Sequence, residues 1–533
     1  MKSIKELLET SAAKHGDKTF LFFEGHKVSF KELSRMANKV ANAFLTLGVR
    51  KSDRVAIMLT NRPEYLYVWF GLNKVGASMV PINTALTAYE AEYIINHSDS
   101  KVVVTAAHHY PIIKQALKNC PLVNQIILMD SDEQPQKSFL FEDIVQDTSS
   151  KLETVEIKPD DEAAILYTSG TTGRPKGCIA DQAYYLQLGR MYVRDYQIDA
   201  NDRILSPLPL FHMNAQALST IGAIMAGASL IMLDRFHPST WWQSIRINKA
   251  TFFHYLGVIP AILYSLPARE DDYCPFKLYG SGAGVPKDIH EKFEKRFNVE
   301  LLEAYGSTEG GGGALFQTGR RLRDRKVGTS SFGTMLPEVE AKIVDEEDNE
   351  LPYGVVGELA TRSSDPENRR KGFMRGYLKD PEETEKVWRN GWFHTGDYCK
   401  RDDGGYFYFV DRKKDMIRRS GENISASEVE GVVALHPGVK EVAAIAVPDD
   451  KRIEEVKIYV VKKDKQLKPE EIIKWCEERM AYFKIPRYVE FRNELPKTST
   501  AKVQKAVLKK EKNNLAEGIW DRTLHMKLKR FTR

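Results

Sequence analysis

The feature that most constrains the fold of this chain is an alternation near its N-terminus. Short β-rich runs at 54–59, 78–82 and 102–105 are separated by stretches of helical spacing, opened by Asn61 with Pro63 and by Thr87 with Glu90. Upstream, Leu33, Met36, Ala37, Val40, Ala41 and Phe44 recur at helical spacing behind Ser29 and Glu32, a capping-box pair. Strand, helix and strand in that rhythm predict parallel sheet, because parallel neighbours need a long crossover between them. The rhythm resumes at 229–233 and 251–255, so two α/β units are expected.

A chain of 533 residues is too long for one hydrophobic core. From about Val327, short runs divided by turn signals such as Asn390-Gly391 and Asp402-Asp403-Gly404-Gly405 predict a small, mostly antiparallel β region. Beyond Arg412 the pattern is mixed: a helix capped near Ser425 with Glu428, strands at 441–447 and 456–461, a helix after Pro469, and a strand at 488–492. That is a separate α+β domain of roughly 120 residues, so the expected domains are 1–412 and 413–533. The basic stretch 513–533 reads as a surface tail or a final docked helix.

The net charge of +5, from 78 basic and 73 acidic residues, is too weak an excess to indicate a nucleic-acid binder. Cys120, Cys178, Cys274, Cys399 and Cys476 form no Cys-x-x-Cys pair, which suggests neither a disulfide framework nor a zinc site. The N-terminus mixes Lys2 and Lys5 with Glu6 and Glu9, unlike a signal peptide, and no apolar run is long enough to cross a bilayer. A cytoplasmic location is expected.

Chemistry concentrates at Tyr167-Thr168-Ser169-Gly170-Thr171-Thr172-Gly173-Arg174-Pro175-Lys176-Gly177, directly after the apolar run 163–166. Glycines let backbone N–H groups approach an oxyanion and cations neutralise it, so this reads as a phosphate cradle or else as a flexible turn. It is not a Walker A loop, since Gly177 follows Lys176 where Ser or Thr is required. Downstream, in order, come the proline-stiffened run ending in His212; the glycine turn Tyr279-Gly280-Ser281-Gly282-Ala283-Gly284; Tyr305, Thr308 and Glu309 within five residues; Asp397 after Gly396; Arg412 at the end of a strand; and Lys497, Lys502 and Lys505 in a Thr/Ser-rich stretch. An aromatic ring for a base beside a carboxylate for a hard metal ion suits a magnesium nucleotide.

In this order the motifs resemble the adenylate-forming superfamily of acyl-CoA synthetases, standalone adenylation domains and luciferases, from about Glu6 to Lys509. The runs 209–216, 406–412 and 419–425 look most like its crotonobetaine/carnitine–CoA ligase branch. The resemblance implies a large N-terminal domain of two α/β subdomains with a small distorted β-barrel, plus a small mobile C-terminal α+β domain. It implies an ATP-dependent acid–CoA ligase, which adenylates a small to medium carboxylic acid with MgATP and passes the acyl group to CoA. Its cofactors are ATP, Mg2+ and coenzyme A; a homodimer is allowed.

Carried over residue by residue, Thr168, Ser169, Gly170, Thr171, Thr172, Gly173 and Lys176 would hold the β- and γ-phosphates. Ser281, Gly282, Ala283, Gly284 and Tyr305 would hold adenine, and Asp397 with Arg412 the ribose. Glu309 and Thr168 would serve the metal, Thr308 the α-phosphate, and Lys502 the attacking carboxylate. His212 would lie between CoA tunnel and acyl pocket, Gly421 near the pantetheine, and Lys414 at a hinge. Thr500-Ala501 replaces the usual Ser-Gly before the lysine, which stiffens that loop. Gly310 to Gly313 either make room for a bulky acid or form a flexible loop. Two alternatives remain: an adenylation enzyme loading a carrier-protein phosphopantetheine, and a non-catalytic nucleotide-binding regulatory protein.

Overall fold

The computed structural model describes all residues except 147, 154, 169–174, 315, 318–324, 420–421, 450–452, 481, 499–501, 512–518 and 527–533, and gives the backbone alone for 317, 414, 418, 422, 423 and 453. Two compact units emerge, Met1–Ala341 with Ala360–Thr395, and Lys342–Leu359 with Gly396–Arg533. Residues 413–533, expected as the small domain, belong to the second unit together with 342–359 and 396–412.

The predicted alternation builds the first unit. Arg54–Met58, Ser78–Pro81 and Val102–Ala106 are parallel neighbours in a seven-stranded sheet. Its helices begin where the caps lie: Ser29 Oγ accepts the Glu32 N–H at 3.1 Å, and Thr87 with Glu90 completes a reciprocal capping box. In a second sheet Arg203–Ser206, Ser229–Met232, Phe252–Leu256, Leu278–Ala283 and Val299–Tyr305 run parallel. Buried side chains such as Leu205, Trp241, Phe253, Tyr255 and Phe297 pack against it. Phe252, Phe253, Tyr255 and Trp241 are fully buried, and Trp242 stacks on Phe297 at 4.5 Å.

The same sheet continues as a half-barrel through Val339–Val344, Gly357–Ser363, Trp392–Arg401 and Tyr406–Arg412, the last two pairing antiparallel. The second unit then carries its own sheet, with Val439–Asp449 antiparallel to Ile453–Lys462, and Tyr488–Arg492 parallel to the latter. Its core gathers Ile417, Ile424, Val429, Val433, Ile458, Ile472 and Val489. The C-terminal stretch is docked, with a one-turn helix at Arg522–His525 as one expectation had it, and with a strand that neither expectation held. Trp520–Asp521 joins this sheet as an edge strand on Tyr488–Arg492, and Arg522, 4 % exposed, donates from Nε to Pro486 O at 3.1 Å. Backbone pairing and a buried guanidinium tie the segment down where composition shows only charge.

Candidate active site

The Gly-rich loop joins two antiparallel strands, Glu162–Thr168 and Lys176–Asp181, rather than a strand to a helix. Their register pairs Thr168 with Lys176, so both ends of the loop share one edge. Side chains hold its stems: Tyr93 Oη donates to Pro175 O at 3.1 Å, and His97 Nδ1 lies 2.8 Å from Tyr167 Oη. Ser169, Gly170, Thr171, Thr172 and Gly173 lie outside the described residues.

Thr168 meets Glu309 across 141 positions of sequence, its Oγ1 donating to Glu309 Oε1 at 2.8 Å. The turn that presents Glu309 is held at three points. Tyr184 Oη donates to Thr308 O at 2.8 Å, Gly310 N–H to Ser307 Oγ at 3.0 Å, and Met374 N–H to Glu309 O at 3.0 Å. Tyr377 Oη lies 3.5 Å from Glu309 Oε1 while its ring sits 5.1 Å beneath the Lys176 ammonium. Lys176 is paired with Glu383. Thr168, Lys176, Thr308 and Glu309 are therefore brought together, with Tyr184, Tyr377 and Glu383 as members the sequence reading missed. Nothing in Asp380-Pro381-Glu382-Glu383 beyond a helix-start pattern marks it as part of a site.

Gly310 to Gly313 lie in a packed stretch of chain. Gly311–Ala314 is a buried 3-10 turn, and a Cβ at Gly313 would meet the Phe373 ring at 1.8 Å, one at Gly311 the Tyr184 ring at 2.3 Å. The space beside Gly311 and Gly313 is filled by these rings, and that beside Gly312 by Gln187 and Met191.

Leu278–Ala283 and Val299–Tyr305 are parallel neighbours, with Gly282 opposite Glu303. A Cβ at Gly280 would run into Phe253 and one at Gly282 into Tyr255, so these glycines serve strand packing. Ser281 Oγ donates to Tyr196 Oη at 2.9 Å and is buried. Ala283 and Gly284 are exposed, Gly284 with φ +79° and nothing within 4 Å of where a Cβ would stand. The Tyr305 ring is held by Phe332, stacked at 4.8 Å.

Beneath Gly284, Glu303 Oε2 accepts its N–H at 3.0 Å. Burial pushes this carboxyl up to about 7, against the backbone donors of Gly284 and Val285 and against His290. A raised carboxyl contributes stability that is complete below its ordinary value of 4.5 and is lost as pH rises toward 7. Glu303→Gln is expected to remove this leg of roughly 3 kcal/mol between pH 4.5 and 7.5, read as the urea midpoint against pH. A slope unchanged in the variant would assign it to another group.

His212 follows the turn Pro209 to Phe211 and precedes Asn214–Ile221, whose wide π-type turns the sequence spacing did not foretell. His212 is exposed as a residue, yet surrounding protein takes solvation from its ring and lowers its pKa to about 4. Behind it a buried chain runs from Tyr192 Oη to His254 Nε2 at 2.7 Å, and from His254 Nδ1 to Asn214 Oδ1 at 2.9 Å. Burial holds His254 down at about 3, so it is neutral at physiological pH.

In the second unit, Asp397 and Arg412 are cross-strand partners, Arg412 Nε lying 3.6 Å from Asp397 Oδ1. Asp411, missed by the sequence reading, accepts from Ser425 Oγ at 2.9 Å and from Ser427 N–H at 3.0 Å. Lys414 stands in the one-turn 3-10 helix Lys413–Asp415. Lys502 occupies a small hairpin: Lys497 bridges Val503, and the Thr498 N–H donates to Lys502 O at 2.7 Å. Gly421, Thr500 and Ala501 lie outside the described residues.

Comparison with known proteins agrees in sequence and in shape. The AMP-binding enzyme family matches residues 8–378, and the AMP-binding enzyme C-terminal domain matches 428–502. The chain is 35 % identical over 520 residues to a crotonobetaine/carnitine–CoA ligase of Proteus mirabilis, covering 94 % of this chain and 98 % of that protein. It is 33 % identical over 521 residues to the Salmonella arizonae protein of the same name, covering 95 % and 98 %. Among solved structures, the anthranilate CoA ligase AuaEII in complex with anthranoyl-AMP superposes with TM-score 0.85 at 26 % identity, over 96 % of this chain and 97 % of that one. ATP-bound MatB from Rhodopseudomonas palustris gives 0.84 at 26 % identity, over 96 % and 99 %. With its matched residues spanning both the large and the C-terminal segments, this chain belongs to the AMP-binding enzyme family.

Proposed function

We propose that the groups gathered at Thr168, Lys176 and Glu309, with Asp397, Arg412 and Lys502 from the second unit, serve one adenylation reaction. The chain is an ATP-dependent, AMP-forming acid–CoA ligase: it converts a carboxylic acid and ATP to an acyl-adenylate and pyrophosphate, then passes the acyl group to CoA. The observation that carries the site reading is the 2.8 Å hydrogen bond joining Thr168 to Glu309, which unites the loop with the turn after Tyr305. Activation is needed because a carboxylate is a poor electrophile, whereas AMP departs readily from the mixed anhydride.

In this reading the loop, from Thr168 to Gly173, and Lys176 hold the pyrophosphate portion of ATP. The backbone at Ala283 and Gly284 and the ring of Tyr305 hold adenine, with Ser281 and Gly282 acting through the strand they pack. Asp397 accepts from the ribose hydroxyls beside Arg412, and Thr308 contacts the α-phosphate. The carboxylate of Glu309 and the hydroxyl of Thr168 are hard oxygen donors and fit Mg2+, which neutralises phosphate charge when bound. Lys502 stabilises the charge that collects as carboxylate oxygen meets phosphorus. The neutral His212 ring stands between acyl pocket and CoA, and Gly421 beside the pantetheine.

The proposal includes a domain boundary at Arg412 with the hinge at Lys414, because the two half-reactions want different surroundings for one carbonyl. Lys414→Pro is expected to leave adenylation within about twofold and to reduce thioester formation at least tenfold. Unimpaired overall turnover would remove the hinge. The acid is of crotonobetaine or carnitine type, or another small to medium acid. Pyrophosphate release over short-chain, branched, aromatic and trimethylammonium acids tests this, with free CoA added in a second series. A product that stops at the adenylate favours carrier-protein loading, and no release from any acid favours a regulatory protein. A cytoplasmic homodimer completes the reading, its assembly measurable by light scattering.

A further inference from the structure

Lys176, the cation the phosphate-loop reading assigns to pyrophosphate, already has an anion. It stands at the start of the strand Lys176–Asp181, opposite Thr168, and its ammonium pairs with Glu383 while resting on the Tyr377 ring. The pair is largely shielded from water, the side chains 13 % and 20 % exposed. Little solvent screening therefore intervenes between the two charges.

The carboxylate is also placed rather than stray. Glu383 lies in the short helix Pro381–Lys386, where Asp380 Oδ1 accepts its N–H at 3.0 Å. Thr384 Oγ1 accepts the Tyr377 N–H at 2.8 Å and donates to Asp380 O at 2.8 Å. The preceding segment is sewn onto the lysine's own strand, with Leu378 N–H donating to Gly177 O at 2.7 Å and Ile179 N–H to Gly376 O at 3.0 Å. On the far side Lys386 lies 3.5 Å from Glu383 Oε2, and that lysine is mostly exposed.

We propose that Glu383 is a resident counter-anion of Lys176 that competes with pyrophosphate for the lysine, and so weakens the grip on this product and speeds its departure. The proposal rests on the phosphate-loop reading above. Pyrophosphate arriving at Lys176 must either displace Glu383 or bear its repulsion, so binding becomes an exchange of one anion for another. For a two-step ligase this has a use: pyrophosphate has to leave before the thiol step, and tightness toward it adds nothing to the chemical barrier. Glu383 acts through Lys176 and is a positioning residue.

The test is calorimetric titration of inorganic pyrophosphate, with Mg2+ present, into the full-length enzyme and into Glu383→Gln, Lys176→Met and the double variant. Glu383→Gln is expected to tighten pyrophosphate about five- to tenfold, to lower KM for ATP, and to lower kcat in steady state. On the Lys176→Met background the same change is expected to have a much smaller effect, since only the direct repulsion between Glu383 and pyrophosphate is left to relieve. Glu383→Asp, which keeps the charge and shortens its reach, is expected to fall between wild type and Glu383→Gln. Unchanged affinity in Glu383→Gln overturns the proposal whatever happens to thermal stability, since a mere helix staple predicts that result. Equal tightening with Lys176 absent overturns it too. If Lys176→Met alone leaves pyrophosphate binding intact, the phosphate-loop reading itself fails; if Lys176→Met weakens binding and Glu383→Gln does not strengthen it, the counter-anion alone fails.

Discussion

Lys502→Ala is expected to slow acyl-adenylate formation by about 10²- to 10³-fold while leaving transfer from pre-made acyl-adenylate to CoA within a few fold. The asymmetry follows from where charge develops. In the first half-reaction a carboxylate and a phosphate, both anionic, approach each other, and an ammonium placed between them is preorganised for the crowded state. In the second, a thiol attacks a carbonyl that has already been activated, and in the hinge reading Lys502 has turned away from the carbonyl oxygen and the departing AMP where charge then develops. The stretch that carries Lys502 is held by the Thr498 N–H donating to Lys502 O, by the Lys502 N–H donating to Thr498 Oγ1 and by the Lys497–Val503 bridge, none of which depends on the lysine side chain. Truncation to alanine should therefore leave the fold intact. ATP–pyrophosphate exchange and single-turnover thioesterification, measured on one preparation, separate the two steps. Equal loss in both would take away the role assigned to Lys502.

Glu309→Gln is expected to reduce adenylation by about 10²-fold and to raise the Mg2+ concentration at half-maximal rate at least tenfold. Glutamine keeps the shape and an acceptor for the Thr168 hydroxyl, so the 2.8 Å bond to Thr168 survives and the turn held by Ser307, Tyr184 and Met374 is undisturbed. What is lost is one negative charge among hard oxygen donors. Binding of ATP followed by calorimetry, with Mg2+ and then with chelator, provides a second reading independent of turnover. The variant is expected to bind ATP alike in both conditions. A lowered rate with an unchanged Mg2+ profile would instead assign Glu309 to holding Thr168.

Most of the architecture was legible before any coordinates, because its signals are local. Ser29 with Glu32, Thr87 with Glu90 and Ser425 with Glu428 start helices through bonds spanning three residues, and all three caps are present. The strand runs at 54–59, 78–82 and 102–105 are apolar because both faces of a parallel sheet are covered. Where local signals are ambiguous the reading slipped. The stretch after Asn513 has no apolar period, yet Trp520–Asp521 is recruited as a strand by an edge that lies elsewhere in the chain.

The sequence by itself determined the family, the order of the motifs and the residues able to do chemistry, since residue type and spacing carry that information. Only the tertiary structure decided what those residues face. The partner of Thr168 is 141 positions away and that of Lys176 is 207, and no spacing rule reaches so far. It decided, too, that Gly282 and Gly313 are glycine for the sake of Tyr255 and Phe373, whereas Gly284 is exposed with room beside it. A glycine advertises the absence of a side chain; which neighbour fills the space is a property of packing. The same holds for Glu383, an ordinary helix-start glutamate in sequence, which the fold turns toward Lys176, the cation proposed to meet the departing pyrophosphate.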